Sequence, residues 1–134
     1  APVCWYDTCM NSHAPRLGVD WGAAAVEARA ELLKALAHPV RLGLLEELVR
    51  EEECVCHLSA LFGRPQPYIS QQLAELRDAG LVVDRRDGQR VFYRADPRVA
   101  VLLDAVRELV GGVDRPQGPR QPLPGCPCPR CSRQ

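Results

Sequence analysis

Residues 66–95 read QPYISQQLAELRDAGLVVDRRDGQRVFYRA, and the order of signals within them decides the fold. Ile69, Leu73 and Leu76 recur at helical spacing, which makes one face of the first half apolar. Pro67 stands near a helix start, where a missing N–H costs least, and Gly80 ends the run. Two β-prone runs follow, 81–86 and 90–95, on either side of Asp87-Gly88. An Asp-Gly between such runs is a strong short-range hairpin signal.

Working upstream, Val55, Leu58, Leu61 and Phe62 belong to a short helix capped by Gly63, and Arg64-Pro65-Gln66 is the turn. Before it, Pro39 opens a helix with Val40, Leu44, Leu45, Leu48 and Val49 on one side. Its other side and exit are acidic (Glu46, Glu47, Glu51, Glu52, Glu53) and read as solvent-facing. A first helix runs from about Trp21 to the His38-Pro39 break. Downstream, a last helix begins after Pro97 and carries the broad apolar stripe Val99, Leu102, Leu103, Val106, Leu109 and Val110 until Gly111-Gly112. Helix, helix, short helix, tight turn, helix, hairpin, helix is a mainly α chain with a β-hairpin wing, an α+β winged helix-turn-helix. It occupies residues 21–111, between an N-terminal arm (1–20) and a Pro/Cys-rich tail (112–134). The tail holds half of the twelve prolines and reads as disordered or extended.

Formal net charge is zero, so no overall positive field announces nucleic acid. The charge is nevertheless polarised. From Arg64 to Arg94 the bases Arg64, Arg77, Arg85, Arg86, Arg90 and Arg94 outnumber the acids Glu75, Asp78, Asp84 and Asp87, whereas the second helix is acidic. In a helix-turn-helix the second helix of the pair enters the major groove. Its early residues Gln66, Tyr68, Ser70, Gln71 and Gln72, with Arg64 in the turn, are the candidate DNA contacts. Arg85, Arg86 and Arg90 on the wing suit phosphates or the minor groove. No stretch is long and apolar enough to span a membrane, and APVCWYDTC lacks signal-peptide blocks, so the expected location is cytoplasmic. No Ser-His-Asp grouping and no phosphate-cradling loop points to an enzyme or to a small organic substrate.

The seven cysteines fall into three groups: Cys4 and Cys9; Cys54 and Cys56; Cys126, Cys128 and Cys131. An odd number cannot all pair within the chain, and such grouping favours metal or redox chemistry. Cys54 and Cys56 open a helix, where free N–H groups favour thiolate. Two ligands are too few for a closed site, which usually wants four. Cys126, Cys128 and Cys131 are dense enough to be additional metal ligands, as a second site or as donors to the first.

ALAHPVRLGLLEEL, ECVCHLSALFG, QPYISQQLAELRDAGLV and the Asp-Gly wing together resemble the ArsR/SmtB family of metal-sensing repressors, over about residues 25–110. The resemblance implies a homodimer closed by the first and last helices, bound to an inverted-repeat operator and released by metal. Ser70-Gln71-Gln72 stands where the family often has Ser-His-His, which leaves the operator sequence open. The family's arsenic branch carries a third cysteine on the CVC helix, where this chain has Ser59. Its cadmium/lead branch adds cysteines from an N-terminal extension, which makes Cys4, Cys9, Cys54 and Cys56 the expected tetrathiolate for Cd(II), Pb(II) or Zn(II). His57 stands where relatives usually have aspartate and is expected at the surface. As(III) or Sb(III) on Cys54, Cys56 and a tail cysteine is the alternative. A thiol-redox-sensing repressor and, in another class, a metal-trafficking or protein-interaction module are the further readings.

Overall fold

The computed structural model describes residues 22–112 and 120–132. Its elements run α1 (Ala23–Leu36), α2 (Pro39–Arg50), β1 (Glu53–Cys54), α3 (Val55–Phe62), α4 (Gln66–Asp78), β2 (Val82–Asp87), β3 (Arg90–Ala95), α5 (Pro97–Val110) and α6 (Pro129–Ser132). The helix-turn-helix is α3 and α4, and the wing is β2 and β3, so the winged-helix reading of the sequence holds. None of the described helices is long and apolar enough to cross a membrane.

Prolines at the first turns of α2, α4 and α5 start those helices at no hydrogen-bond cost. α3 ends on Gly63 with φ 58°, a left-handed conformation that glycine adopts without strain. The core lies where α2, α3 and α4 converge. Leu44, Leu45, Leu48, Leu58, Ile69, Leu73 and Leu76 are fully buried there, and Val99 and Leu103 join them from α5. Burying each such side chain is worth about 1.5–3 kcal/mol relative to leaving it in water.

Two details differ from the sequence reading. Asp87 pairs with Arg90, so the wing loop is Gly88-Gln89, one residue later than Asp87-Gly88 suggests. Gly88 takes φ 61° while no non-glycine residue among the described residues has positive φ, which selects the two-residue loop with glycine first. The second difference is β1, two residues that no local pattern announces. It pairs antiparallel with β3, Glu53 opposite Tyr93 and Cys54 opposite Phe92, giving the sheet order β1-β3-β2. The wing is therefore a three-stranded sheet whose outer strand carries the first cysteine of the CVC motif.

Candidate metal centre

Cys54 ends β1 and Cys56 lies in the first turn of α3. Within a regular helix an i, i+2 pair is splayed by about 200°. Here Cys54 has extended backbone (φ −86°, ψ 157°), and this brings the two sulfurs to 2.8 Å. The tail supplies the rest. Residues 120–132, which the sequence presents as disordered or extended, fold back on the wing, and Cys126, Cys128 and Cys131 are all buried. Phe92, Cys54 and the three tail cysteines form a small core of their own, flanked by Cys56 and Leu123. The Sγ atoms of Cys54, Cys56, Cys126 and Cys128 all lie within 4.8 Å of one another, with Cys126 and Cys56 at 3.6 Å. All five described cysteines are free thiols. A tetrahedral ion with metal–sulfur bonds of about 2.3 Å needs sulfurs about 3.8 Å apart. The four thiols fit that set once Cys54 and Cys56 open by about 1 Å.

His57, Cys126 and Cys131 make a second close group. His57 is 4% exposed, not at the surface, and its Nδ1 is 3.2 Å from Cys131 Sγ. Glu53, expected in solvent with its acidic neighbours, is 3% exposed. The cause of both is Arg120. Its guanidinium pairs with the Glu53 carboxylate and reaches His57 Nδ1 at 2.9 Å and Cys131 Sγ at 3.1 Å. Arg130 donates to the Glu51 carboxylate and to the Glu52 carbonyl. The acidic run is thus the seat for two tail arginines, and the matching charges of 51–53 and of Arg120 and Arg130 were the signal available in sequence.

The thiols share their protons unequally. Burial, and then the hydrogen bond with Cys56, push the Cys54 thiol up to about 12. Burial also pushes Cys126 up. Burial works against ionising Cys128 too, but hydrogen bonds from Cys126 and Cys131 outweigh it and bring Cys128 down to about 6. Cys131 is likewise lowered: against burial, the Leu123 N–H, His57 and Arg120 favour its thiolate. The group therefore presents thiolate sulfur at neutral pH with neighbouring thiols as donors, a soft and partly negative cavity suited to a soft cation.

Ser59 stands apart from this cluster and donates to the Arg64 carbonyl in the turn after α3. Cys4 and Cys9 lie outside the described residues, as does all of the arm 1–20.

On the other face, Gln66, Ser70 and Gln71 of α4 are exposed, and the Arg64 guanidinium lies 5.7 Å from the centre of the half-buried Tyr68 ring. Gln72 departs from the expected solvent-facing set. It is buried, and Arg41 Nη1 donates to its Oε1 at 3.4 Å. Arg86 is exposed on the wing. Arg85 donates to Glu52 at 2.6 Å and sits 5.0 Å over the Phe92 ring. Arg90 turns toward the tail, with Nη2 donating to Pro127 O at 2.8 Å and Nη1 lying 3.6 Å from Cys56 Sγ.

Known proteins share this arrangement of the winged helix. Residues 38–83 match the profile described as "Bacterial regulatory protein, arsR family". The arsenic resistance transcriptional regulator ArsR1 of Pseudomonas putida is 44% identical over 87 residues, which span 64% of this chain and 66% of that relative, just under two thirds of its length. The biofilm growth-associated repressor of Agrobacterium fabrum is 45% identical over 87 residues, 61% of this chain and 74% of its own. A solution structure of a homodimeric winged helix-turn-helix DNA-binding domain from Mycobacterium bovis, Mb0332, superposes with a TM-score of 0.65 at 30% identity, over 76% of this chain and 96% of that one. These relatives are transcription regulators by name, not enzymes. With the winged helix, the sheet order and these identities in hand, the chain belongs to the arsR family of bacterial regulatory proteins.

Proposed function

We propose that the chain is a transcriptional repressor that binds operator DNA as a homodimer and releases it when a soft or borderline metal ion occupies the thiolates of Cys54, Cys56, Cys126 and Cys128. One observation carries the reading: four thiols from two distant stretches of sequence meet within 4.8 Å beside the wing, three of them buried and Cys56 half-buried. Four sulfurs suit Cd(II), Pb(II) or Zn(II), whereas carboxylate-preferring ions such as Mg(II) find no oxygen set among them. In this reading the C-terminal tail supplies the ligands that an N-terminal arm would otherwise bring, and Cys4 and Cys9 compete for that role. Cys131 and His57 border the same sulfurs.

The DNA-facing set is Arg64, Gln66, Tyr68, Ser70 and Gln71 of the recognition segment with Arg85, Arg86 and Arg90 of the wing, on an inverted repeat. The dimer is supported by the unpartnered apolar surface of α5, where Val101, Leu109 and Val110 are each more than 70% exposed. A second reading has a specific support: Cys126 and Cys54 both lie against Cys56, and one relative is named for arsenic resistance. Three sulfurs so placed suit As(III) or Sb(III).

The test is a release assay on a duplex selected from random sequence by the reduced, metal-free protein. Cd(II), Pb(II), Zn(II), As(III) and Sb(III) are added in turn, and the ultraviolet thiolate-to-metal charge-transfer band is read in parallel. Loss of both binding and release in Cys54→Ser and in Cys128→Ser, with both retained in Cys4→Ser, is the expected result. Retention of both in Cys128→Ser with loss in Cys4→Ser overturns the tail site in favour of the arm. Retention in Cys128→Ser with loss in Cys126→Ser, for As(III) only, selects the three-sulfur reading.

A further inference from the structure

Arg90, a candidate phosphate contact of the wing, is turned toward the cysteine cluster. It leaves β3, spans the edge of the sheet and ends on the tail, with one nitrogen on Pro127 O at 2.8 Å and another 3.6 Å from Cys56 Sγ. The tail is seated on the wing at three more points. Phe92 of β3 packs against Cys126, Cys128 and Cys131. Arg120 pairs with Glu53, and Glu53 is itself in register with Tyr93 of β3. Arg130 pairs with Glu51 and donates to the carbonyl of Glu52, whose carboxylate holds Arg85. Two wing cations that would face phosphate are therefore engaged on the side of the cysteines.

We propose that residues 120–132 are a latch on the wing, and that the closed latch withdraws Arg90 from the DNA backbone. This rests on the metal-site reading above and assigns its route of action. Cys54 and Cys56 belong to the sheet and the helix beside it, while Cys126 and Cys128 belong to the latch. An ion binding all four ties the latch shut. Four thiolates around a divalent ion carry a net charge of −2, and Arg90 is the wing cation that touches one of them. With the thiols metal-free, ion pairs and one small apolar contact hold the latch, and a phosphate competes for the guanidinium. The signal then passes through the wing and its third strand, and it needs no movement of α3 against α4.

Salt dependence tests this directly, because each phosphate contact contributes about 0.9 to the slope of log affinity against log salt. A dimer that loses Arg90 from both wings loses about 2 from the slope, or about a tenfold smaller fall in affinity between roughly 50 and 200 mM salt. Affinity for the selected duplex is measured across that range with full-length protein, metal-free and loaded with stoichiometric Cd(II). The wild type is expected to show the steeper slope only when metal-free. Arg90→Gln is expected to have the shallow slope in both states while keeping the Cd(II) charge-transfer band. Cys126→Ser/Cys128→Ser is expected to keep the steep slope whether or not Cd(II) is added. Equal slopes for metal-free and loaded wild type, with Cd(II) bound and DNA released, overturn the latch and leave the metal site standing. A Cd(II)-dependent slope that persists in Arg90→Gln also overturns it. Absence of the charge-transfer band in the wild type overturns the site itself.

Discussion

Glu53 and Arg120 lie 67 residues apart in sequence and meet as an ion pair in which the carboxylate is 4% and the guanidinium 12% exposed. Arg120 donates to Oε1, and the other Glu53 oxygen, Oε2, is buried without a hydrogen-bond partner. Removing one member of such a pair strands the other, at a cost of roughly 3–5 kcal/mol. The tail can escape that cost by undocking while the leucine core stays folded. Arg120→Ala is therefore expected to speed hydrogen exchange at Cys126, Cys131 and Ser132 by about 100-fold or more, with the thermal transition of the core little moved. Adding Glu53→Gln restores part of the protection, because a neutral amide is less costly to bury alone.

Gln71 and Gln72 are neighbours with separate duties. Gln71 is exposed on α4, whereas Gln72 is buried on Arg41, which also donates to the Ala35 carbonyl. Gln72→Ala is expected to cost about 1 kcal/mol of stability, since its bond to a charged donor is long, and to lower the melting temperature by about 3–5 °C. Gln71→Ala leaves the melting temperature unchanged and lowers affinity for the selected duplex. Calorimetry paired with DNA titration checks both, and a reversed pattern would reassign the two side chains.

Asp96 caps α5, accepting from the Arg98 N–H at 2.8 Å and from the Arg98 guanidinium at 2.9 Å and 3.0 Å. The Arg98 side chain, and then its backbone N–H, hold the Asp96 carboxyl down at about 2, against an ordinary 3.8. A lowered carboxyl stabilises the fold in full above its ordinary value and loses that contribution as pH falls through the lowered one. The destabilisation caused by Asp96→Ala should therefore be constant from pH 7 to about pH 5 and shrink between about pH 4 and pH 2. Urea titrations of both proteins across that range read it out; a penalty that grows on acidification would contradict the cap.

Leu109 is 86% exposed and Val110 75% exposed, a cost in water that the proposed subunit contact would remove. Leu109→Asp is expected to halve the mass seen by light scattering at about 10 μM while leaving the circular dichroism spectrum intact, and to weaken DNA binding more than tenfold because half-sites are no longer bound together. An unchanged mass would place the dimer contact elsewhere.

The winged helix was legible in the sequence, and the cysteine cluster only in part. Helical periods, three prolines at helix starts and an Asp-Gly near the wing tip are local signals, and α2 to α5 follow them within a residue or two. Cys54 and Cys56 were equally plain as a pair that must be completed. Which tail meets them was not, because it depends on contacts between residues 70 or more positions apart, such as Cys56 with Cys126 and Glu52 with Arg130, which leave no period. Glu53 and His57 misled for the same reason. A charged residue at a helix exit, as Glu53 is, reads as solvent-facing unless its partner is known, and the aspartate of relatives put His57 at the surface; Arg120 meets both. Gln72 misled because a polar side chain reads as solvent-facing, although it stands three residues after Ile69 and four before Leu76 on the buried side of α4, where Arg41 meets it.

β1 is only two residues long, yet it fixes which way a sulfur points. Side chains along a strand alternate between faces, so a change of a single residue in spacing reverses every one of them. An insertion or deletion of one residue between Arg50 and Glu53 would turn Cys54 to the opposite side of the sheet while keeping all seven cysteines in the chain. Spacing, more than composition, is therefore what this connector must preserve, since one step out of phase the same CVC motif would no longer bring its sulfurs to the tail cysteines.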